Sequence, residues 1–281
     1  MTIKETLRKG IIELKVNNIQ EPSLKARLLL QYILNKPRQY LIVYDNEQLT
    51  LRQEVNFFKG IKKLAKGIPL QHITHSQEFM KMTFYVNEDV LIPRPDTEIL
   101  VEEVIKIAKR INAKKILDLC TGSGAIAISL AKYIEDSQIT AVDISDKAIS
   151  VAKLNAKNNN VENQITFVES DLFKQLPKEK YDIIVSNPPY IKKEIIKSLD
   201  KEVQNEPKIA LDGGYDGLDF YRKIISNADE FLKFTGYVCL EIGYDQKEDV
   251  LELLKNEGKY VDTSCKKDLF DNDRVIIARL N

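Results

Sequence analysis

A chain of 281 residues with 43% hydrophobic content is long enough for one or two domains and buries a sizeable core without any covalent staple. Its 42 basic residues balance 42 acidic ones, and zero net charge argues against broad binding along a nucleic-acid backbone. Cys120, Cys239 and Cys265 form no C-x-x-C pair, the first ten residues are too charged for a signal peptide, and no apolar run reaches membrane-spanning length; a disulfide framework, a metal site and a membrane location are not expected, and a reducing cytoplasm fits.

In chain order, residues 1–75 read as a helical N-terminal domain with a substrate-docking role. Ile3, Leu7, Ile11 and Leu14 recur at helical spacing. Pro22 stands where a first helical turn accepts proline, and Asn35 to Pro37 ends that helix. Thr50 and Gln53 have the spacing of a capping box for a third helix, which Gly67 to Pro69 closes. Residues 76–95 read as a hairpin and connector, with Met80, Met82, Phe84 and Val86 alternating and Pro93 and Pro95 stiffening its end. Asp96 is placed to cap a helix over 96–110.

From 96 to 281 the pattern alternates strand and helix, which implies a doubly wound α/β domain with helices on both faces of a seven-stranded, mostly parallel sheet. Strands are expected at 115–119, 138–142, 164–168, 181–186, 236–242, 259–265 and 274–279. Helices are expected at 123–134, 146–158, 219–233 and 246–256. The run Asp118, Leu119, Cys120, Thr121, Gly122, Ser123, Gly124 joins the first strand to a helix, and Asp143 ends the next strand. This loop satisfies the weak dinucleotide pattern G-x-G-x-x-A with an acid about 20 residues on, so a nicotinamide dehydrogenase is a rival reading. Three features favour S-adenosyl-L-methionine instead. Asp118 would repel a pyrophosphate and welcome an ammonium group. Ser170 and Asp171 end the third strand, where a carboxylate can accept an adenine amino group. Asn187 to Tyr190 follow the fourth strand, where the transferred methyl should emerge.

The fourth strand, Tyr181 to Ser186, runs into Asn187, Pro188, Pro189 and Tyr190. Two prolines stop the strand at its carboxyl end, the edge where open α/β sheets bind ligands. Proline offers a carbonyl and no N–H. The turn thus supplies an Asn amide, bare carbonyls and an aromatic ring, a set suited to a planar NH2 group. The bland alternatives are a plain turn at 187–190 and helix caps at Asp143 and Asp171. Cys120 reads as a small buried residue, and His72 with His75 lacks the partners of a metal site.

With both motifs placed, the chain resembles the HemK/PrmC family of protein-(glutamine-N5) methyltransferases acting on peptide chain release factors. The matching stretches are IPRPDTE (92–98), DLCTGSGAIAI (118–128), AVDIS (141–145), SNPPYI (186–191), EPKIALDGGYDGLDFYR (206–222), LEIGYDQ (240–246) and DNDRV (271–275). The resemblance implies a Rossmann-like methyltransferase domain behind a small helical domain, with a substrate glutamine from a Gly-Gly-Gln loop. It also implies that Cys120 to Gly124 wrap the methionine part of S-adenosyl-L-methionine, Asp143 holds the ribose, Asp171 and Leu172 flank the adenine, and Asn187 to Tyr190 hold the glutamine. Three positions depart from the family pattern: Leu172 stands in place of an aromatic residue, and Cys120 and His75 each stand in place of glycine. The expected chemistry has the Asn187 side-chain carbonyl and the Pro188 carbonyl accepting the two amide protons, with Tyr190 on the amide plane and no marked general base. A monomer without nucleic-acid partners is expected. The rival readings are an adenine-N6 methyltransferase on DNA or RNA and a nucleoside-binding protein without chemistry.

Overall fold

The computed structural model describes residues 1–281 and divides into two compact units. The first comprises Met1–Ser76 together with a return segment, Leu199–Asn205. Its main helices, Ile3–Val16, Pro22–Leu34 and Leu51–Ala65, enclose a core that includes Leu14, Leu30, Phe57 and Leu64. Thr2 and Thr50 each complete a capping box, Thr50 accepting from the Gln53 N–H at 3.3 Å, and Pro22 opens its helix as the sequence predicts. Two short helices, Arg38–Val43 and Leu70–Thr74, fill segments too brief for periodicity to mark. The return segment forms one helical turn, Lys201–Gln204. Lys25 pairs with Glu202 at 2.5 Å, and Asn205 Nδ2 donates to the Gly67 carbonyl at 3.1 Å. No local pattern announces this return, since its partners lie far away in sequence.

The second unit opens with a hairpin, β1 (Gln77–Phe79) and β2 (Met82–Phe84), turned through Met80 and Lys81 in left-handed backbone. Seven further strands form one sheet: β3 (Lys115–Leu119), β4 (Gln138–Asp143), β5 (Ile165–Glu169), β6 (Tyr181–Ser186), β7 (Leu232–Glu241), β8 (Tyr260–Lys267) and β9 (Asp273–Leu280). Their order is β5-β4-β3-β6-β7-β9-β8, with β9 antiparallel to both its neighbours and the other pairs parallel. The order reverses between β3 and β6, so the loops after β3, β4, β5 and β6 gather at the carboxyl edge. Alternation along β3 sends Ile116 into the core under helices Thr97–Ile111 and Ala125–Tyr133, and Leu117 and Leu119 into the core under Asp219–Asn227 and Lys247–Glu257. Each such fully buried side chain contributes about 1.5–3 kcal/mol.

Two expectations change. The helix foreseen over 219–233 ends at Asn227, passes through a 3-10 turn, and gives way to β7 at Leu232. Leu232 pairs with Tyr181, and the register then breaks before Ile183 pairs with Tyr237, which leaves Thr235 at φ 63° in a bulge. Asp96 does not cap the helix that begins at Thr97; it has helical backbone and faces Arg274, with Oδ2 3.5 Å from Nη2.

Candidate active site

A cleft of about 310 Å³ lies at the carboxyl edge of the sheet, within the range of small-molecule sites. Cys120, Gly122, Asp143, Asp171, Leu172 and Asn187 all line it, and so does Pro189. Residues from four successive strand ends thus meet around one cavity. Apolar walls come from Val142, Ile144 and Leu91, and Phe220 contributes an aromatic ring with the Lys223 ammonium 5.3 Å from its centroid.

The glycine loop divides into two layers. Cys120 and Gly122 face the cleft, whereas Thr121 and Ser123 are buried and Gly124 packs on Ile128 and Ala152. A Cβ at Gly122, whose φ is 55°, would meet nothing within 4 Å, so bare backbone is presented to the open space of the cleft. Below the loop, Asp118 is fully buried. Its Oδ2 accepts from the Thr121 hydroxyl at 2.6 Å and from the Ala127 N–H at 3.2 Å, while Oδ1 has no partner. Burial pushes its carboxyl up to about 7. An orphaned buried carboxylate oxygen within an otherwise satisfied loop fits a cationic ligand group. Asp118 does not itself line the cleft, so the sequence expectation narrows to this single oxygen.

Asp143 accepts from the Gly122 N–H at 2.8 Å through Oδ2 and from the Ser145 N–H at 3.0 Å through Oδ1, and burial raises its carboxyl above the ordinary range. Each oxygen keeps a second lone pair for a ligand hydroxyl. Asp171 pairs with Lys174 at 2.6 Å at the cleft margin. Cys120 has φ 60°, and burial raises its thiol above the ordinary range. His75, at φ 53°, shares that left-handed backbone. Both departures from glycine therefore fall where glycine fits without steric cost.

The loop at 187–190 is held by remote residues. Asn187 is half-buried, and its Nδ2 donates to the Thr97 hydroxyl at 3.2 Å. No protein donor meets the Asn187 Oδ1 or the Pro188 carbonyl. Pro188 is buried and Pro189 reaches the cleft wall. The Tyr190 ring packs against the core beneath Asp219–Asn227 and does not line this cavity. Its backbone carbonyl accepts from Gln246 Nε2 at 3.0 Å; Gln246 also donates to the Gly217 carbonyl at 3.2 Å and accepts from the Gly243 N–H at 2.9 Å. A Cβ at Gly213 would stand 2.7 Å from the Tyr190 Cα, so the loop rests directly on that backbone. Buried Glu206 accepts from the Ile92 N–H at 2.9 Å and pairs with Arg94, anchoring the stretch that leads to Thr97.

No motif assigns a role to Thr97, Glu241, Gln246 or Glu206. Thr97 reads as an ordinary helix start. Glu241 carries a signal, a carboxylate inside the apolar run Val238 to Ile242, where burial of the charge calls for a reason.

Comparison with known proteins decides the family. The model of the PrmC N-terminal domain matches residues 5–74, and that of the methyltransferase small domain matches residues 95–214. A release factor glutamine methyltransferase of Clostridium acetobutylicum is 43% identical across 99% of this chain and 98% of its own length. The protein of that name from Clostridium botulinum is 39% identical across 99% of each. The chain belongs to the release factor glutamine methyltransferase family. Among solved structures, a methyltransferase from Pyrococcus furiosus superposes with a TM-score of 0.52 at 18% identity, covering 82% of this chain and 98% of that one. The ribosomal protein L11 methylase of Lactobacillus delbrueckii subsp. bulgaricus gives 0.50 at 21% identity, covering 73% and 89%. At such identities these two establish the methyltransferase fold of this family member and nothing finer. No helix is long and apolar enough to cross a membrane.

Proposed function

We propose that this protein transfers a methyl group from S-adenosyl-L-methionine to the side-chain amide nitrogen of the glutamine in the Gly-Gly-Gln loop of peptide chain release factors. The observation that carries this reading is the Asn187 amide, tied through its nitrogen to Thr97 and leaving its oxygen unpaired in a cleft shared with Asp143 and Gly122. Its membership of the family supplies the reaction class. Cys120, Gly122, Asp143, Asp171 and Leu172 form the cofactor side, with Asp118 Oδ1 as the acceptor for the ammonium group. Asn187, Pro188, Pro189 and Tyr190 form the substrate side. The N-terminal helices serve to dock the release factor.

When bound, the cofactor supplies an electrophilic methyl on a sulfonium leaving group. An amide nitrogen is a weak nucleophile because its lone pair is delocalised, so the protein's task is to position and polarise it. The Asn187 Oδ1 and the Pro188 carbonyl accept the two N–H protons of the glutamine amide and draw density onto its nitrogen. As positive charge develops there, both acceptors hold the nitrogen more strongly; after transfer the nitrogen gives up one of its two protons to water, leaving the neutral N-methyl amide and S-adenosylhomocysteine. Tyr190 acts through its backbone, which Gln246 and Gly213 fix in place. The buried Glu241 lies behind this loop rather than at the nitrogen.

Asn187→Ala tests this arrangement. The variant is expected to bind S-adenosylhomocysteine as the parent does, and to lose at least about a hundredfold in kcat on a release factor, comparable to deleting one preorganised hydrogen-bonding group. Turnover near the parent's would sink the assignment. The adenine reading has no observation of its own in this fold.

A further inference from the structure

Glu241 closes β7 with its side chain 1% exposed, and its Oε2 has no hydrogen-bond partner. The mechanism above makes no direct use of it, yet a buried carboxyl in this state costs folding free energy. Its surroundings explain where its influence goes. The Thr97 hydroxyl donates toward it from the start of one helix, Arg274 attracts it from β9, Asp96 repels it, and the Asn187 amide donates toward it from the substrate loop. Tyr221 donates its hydroxyl to the Glu241 backbone carbonyl at 2.9 Å, and the Tyr190 ring senses the same charge.

A threonine hydroxyl has one proton. Because Thr97 Oγ1 accepts from Asn187 Nδ2 at 3.2 Å, that proton is free to point at the Glu241 carboxylate. The donors all run toward the carboxylate: Asn187 N–H to Thr97 and toward Glu241, and Thr97 O–H to Glu241. An Asn side chain is nearly symmetric in shape, so sterics alone do not choose which end of the amide enters the cleft. The polar relay makes that choice. With the amide reversed, an NH2 group would face the substrate NH2, donor against donor.

We propose that Glu241, acting through Thr97, is a positioning residue that sets the Asn187 amide with its oxygen toward the substrate nitrogen. The inference rests on the glutamine-methylating reading of the cleft. It carries a pH consequence. Burial, opposed by Thr97, Arg274 and Asn187 and reinforced by Asp96, pushes the Glu241 carboxyl up to about 7. Once protonated, it can donate to Thr97 Oγ1 and turn the threonine proton toward Asn187, which then favours the reversed amide. The active orientation belongs to the ionised form, so kcat rises as pH passes upward through that range.

The test is steady-state methylation of an intact release factor by the parent, Thr97→Val, Thr97→Ser and Glu241→Gln, across pH 5.5 to 8.5 at roughly half-unit steps, with thermal unfolding and S-adenosylhomocysteine calorimetry alongside. Thr97→Val keeps the shape and removes the relay, and is expected to lower kcat on the order of tenfold or more with cofactor affinity unchanged. Thr97→Ser restores the hydroxyl and the rate. Glu241→Gln is expected to lose the rising limb of the pH profile. If Glu241→Gln does not fold, the loss of the rising limb of the pH profile in Thr97→Val and its return in Thr97→Ser still decide the matter. An active parent with Thr97→Val at the same kcat and the same pH profile overturns the inference alone. A parent that leaves the release factor unmodified overturns the reading on which the inference stands, and the inference with it.

Discussion

The two loops that meet in the cleft are built on opposite plans. The glycine loop, residues 118–124, is braced from within: Asp118 holds Thr121 and Ala127, and Gly122 meets Asp143 one strand away. The loop at 187–190 has little support of its own. It hangs on Thr97, ninety residues earlier, and on Gly213, Gly217 and Gln246 downstream. The first loop presents backbone to a small molecule, which a local turn and a helix start can do. On the proposed reading the second aims one amide at a weak nucleophile, and that precision calls on several remote elements. Damage to the first plan should appear in binding; damage to the second should appear in turnover.

The sharpest way to break this contrast is Gly213→Ala. Its Cβ would press on the Tyr190 Cα and carbonyl carbon at 2.7 and 2.8 Å, backbone atoms that cannot rotate aside. A shift of the loop approaching an ångström is expected to reduce kcat about a hundredfold with S-adenosylhomocysteine affinity intact, since misplacement of that size is costly at a reacting centre. Steady-state kinetics and calorimetry on the same preparation would read both; weakened cofactor binding with kcat preserved would reverse the contrast.

Gly122→Ala probes the other loop. The new methyl points into open cleft from a left-handed backbone at φ 55°. Cofactor affinity is expected to fall on the order of tenfold, equivalent to about 1.4 kcal/mol, with kcat at saturation unchanged. Titration calorimetry checks the first part and saturation kinetics the second.

A subtler effect follows from Asp118, whose carboxyl burial raises to about 7. A cation placed at Oδ1 favours the ionised form and lowers that value, so ligand binding near pH 7 should release a fraction of a proton. Calorimetry in two buffers of different ionisation enthalpy measures it, and no buffer dependence would remove Asp118 from the cofactor side. In the unliganded protein the sign is opposite in its consequence. Asp118 and Glu241 both have raised folded values of about 7, so the stability they contribute is fully present below the ordinary carboxylate range and is lost as pH rises through 7. Smallest of all, Cys120→Gly relieves a side chain at φ 60° and should raise the melting temperature slightly, by a gain of up to about 1 kcal/mol.

The same contrast explains what could be read from the chain in advance. Every strand of the sheet was legible, because apolar runs bounded by turn residues are local signals; only the start of β7 was misplaced, where Phe231 and Leu232 continue a helical spacing into a strand. Asp143, Asp171 and Asn187 could be placed at strand ends for the same reason. Thr97, Glu241 and Gln246 could not be assigned, since their contacts cross the fold and leave no mark in local spacing. Gly213 and Gly217 lay within a recognised stretch, but their service as a bed for Tyr190 is visible only in three dimensions. The return of 199–205 to the N-terminal helices was likewise beyond any local pattern.

The central claim is tested most directly by tandem mass spectrometry of an unmethylated release factor incubated with this protein and S-adenosyl-L-methionine, beside the Asn187→Ala variant. The account predicts a single methyl group on the glutamine of the Gly-Gly-Gln loop with the parent protein and almost none with the variant. Methyl groups elsewhere in the release factor, or an equal yield from both proteins, would contradict it.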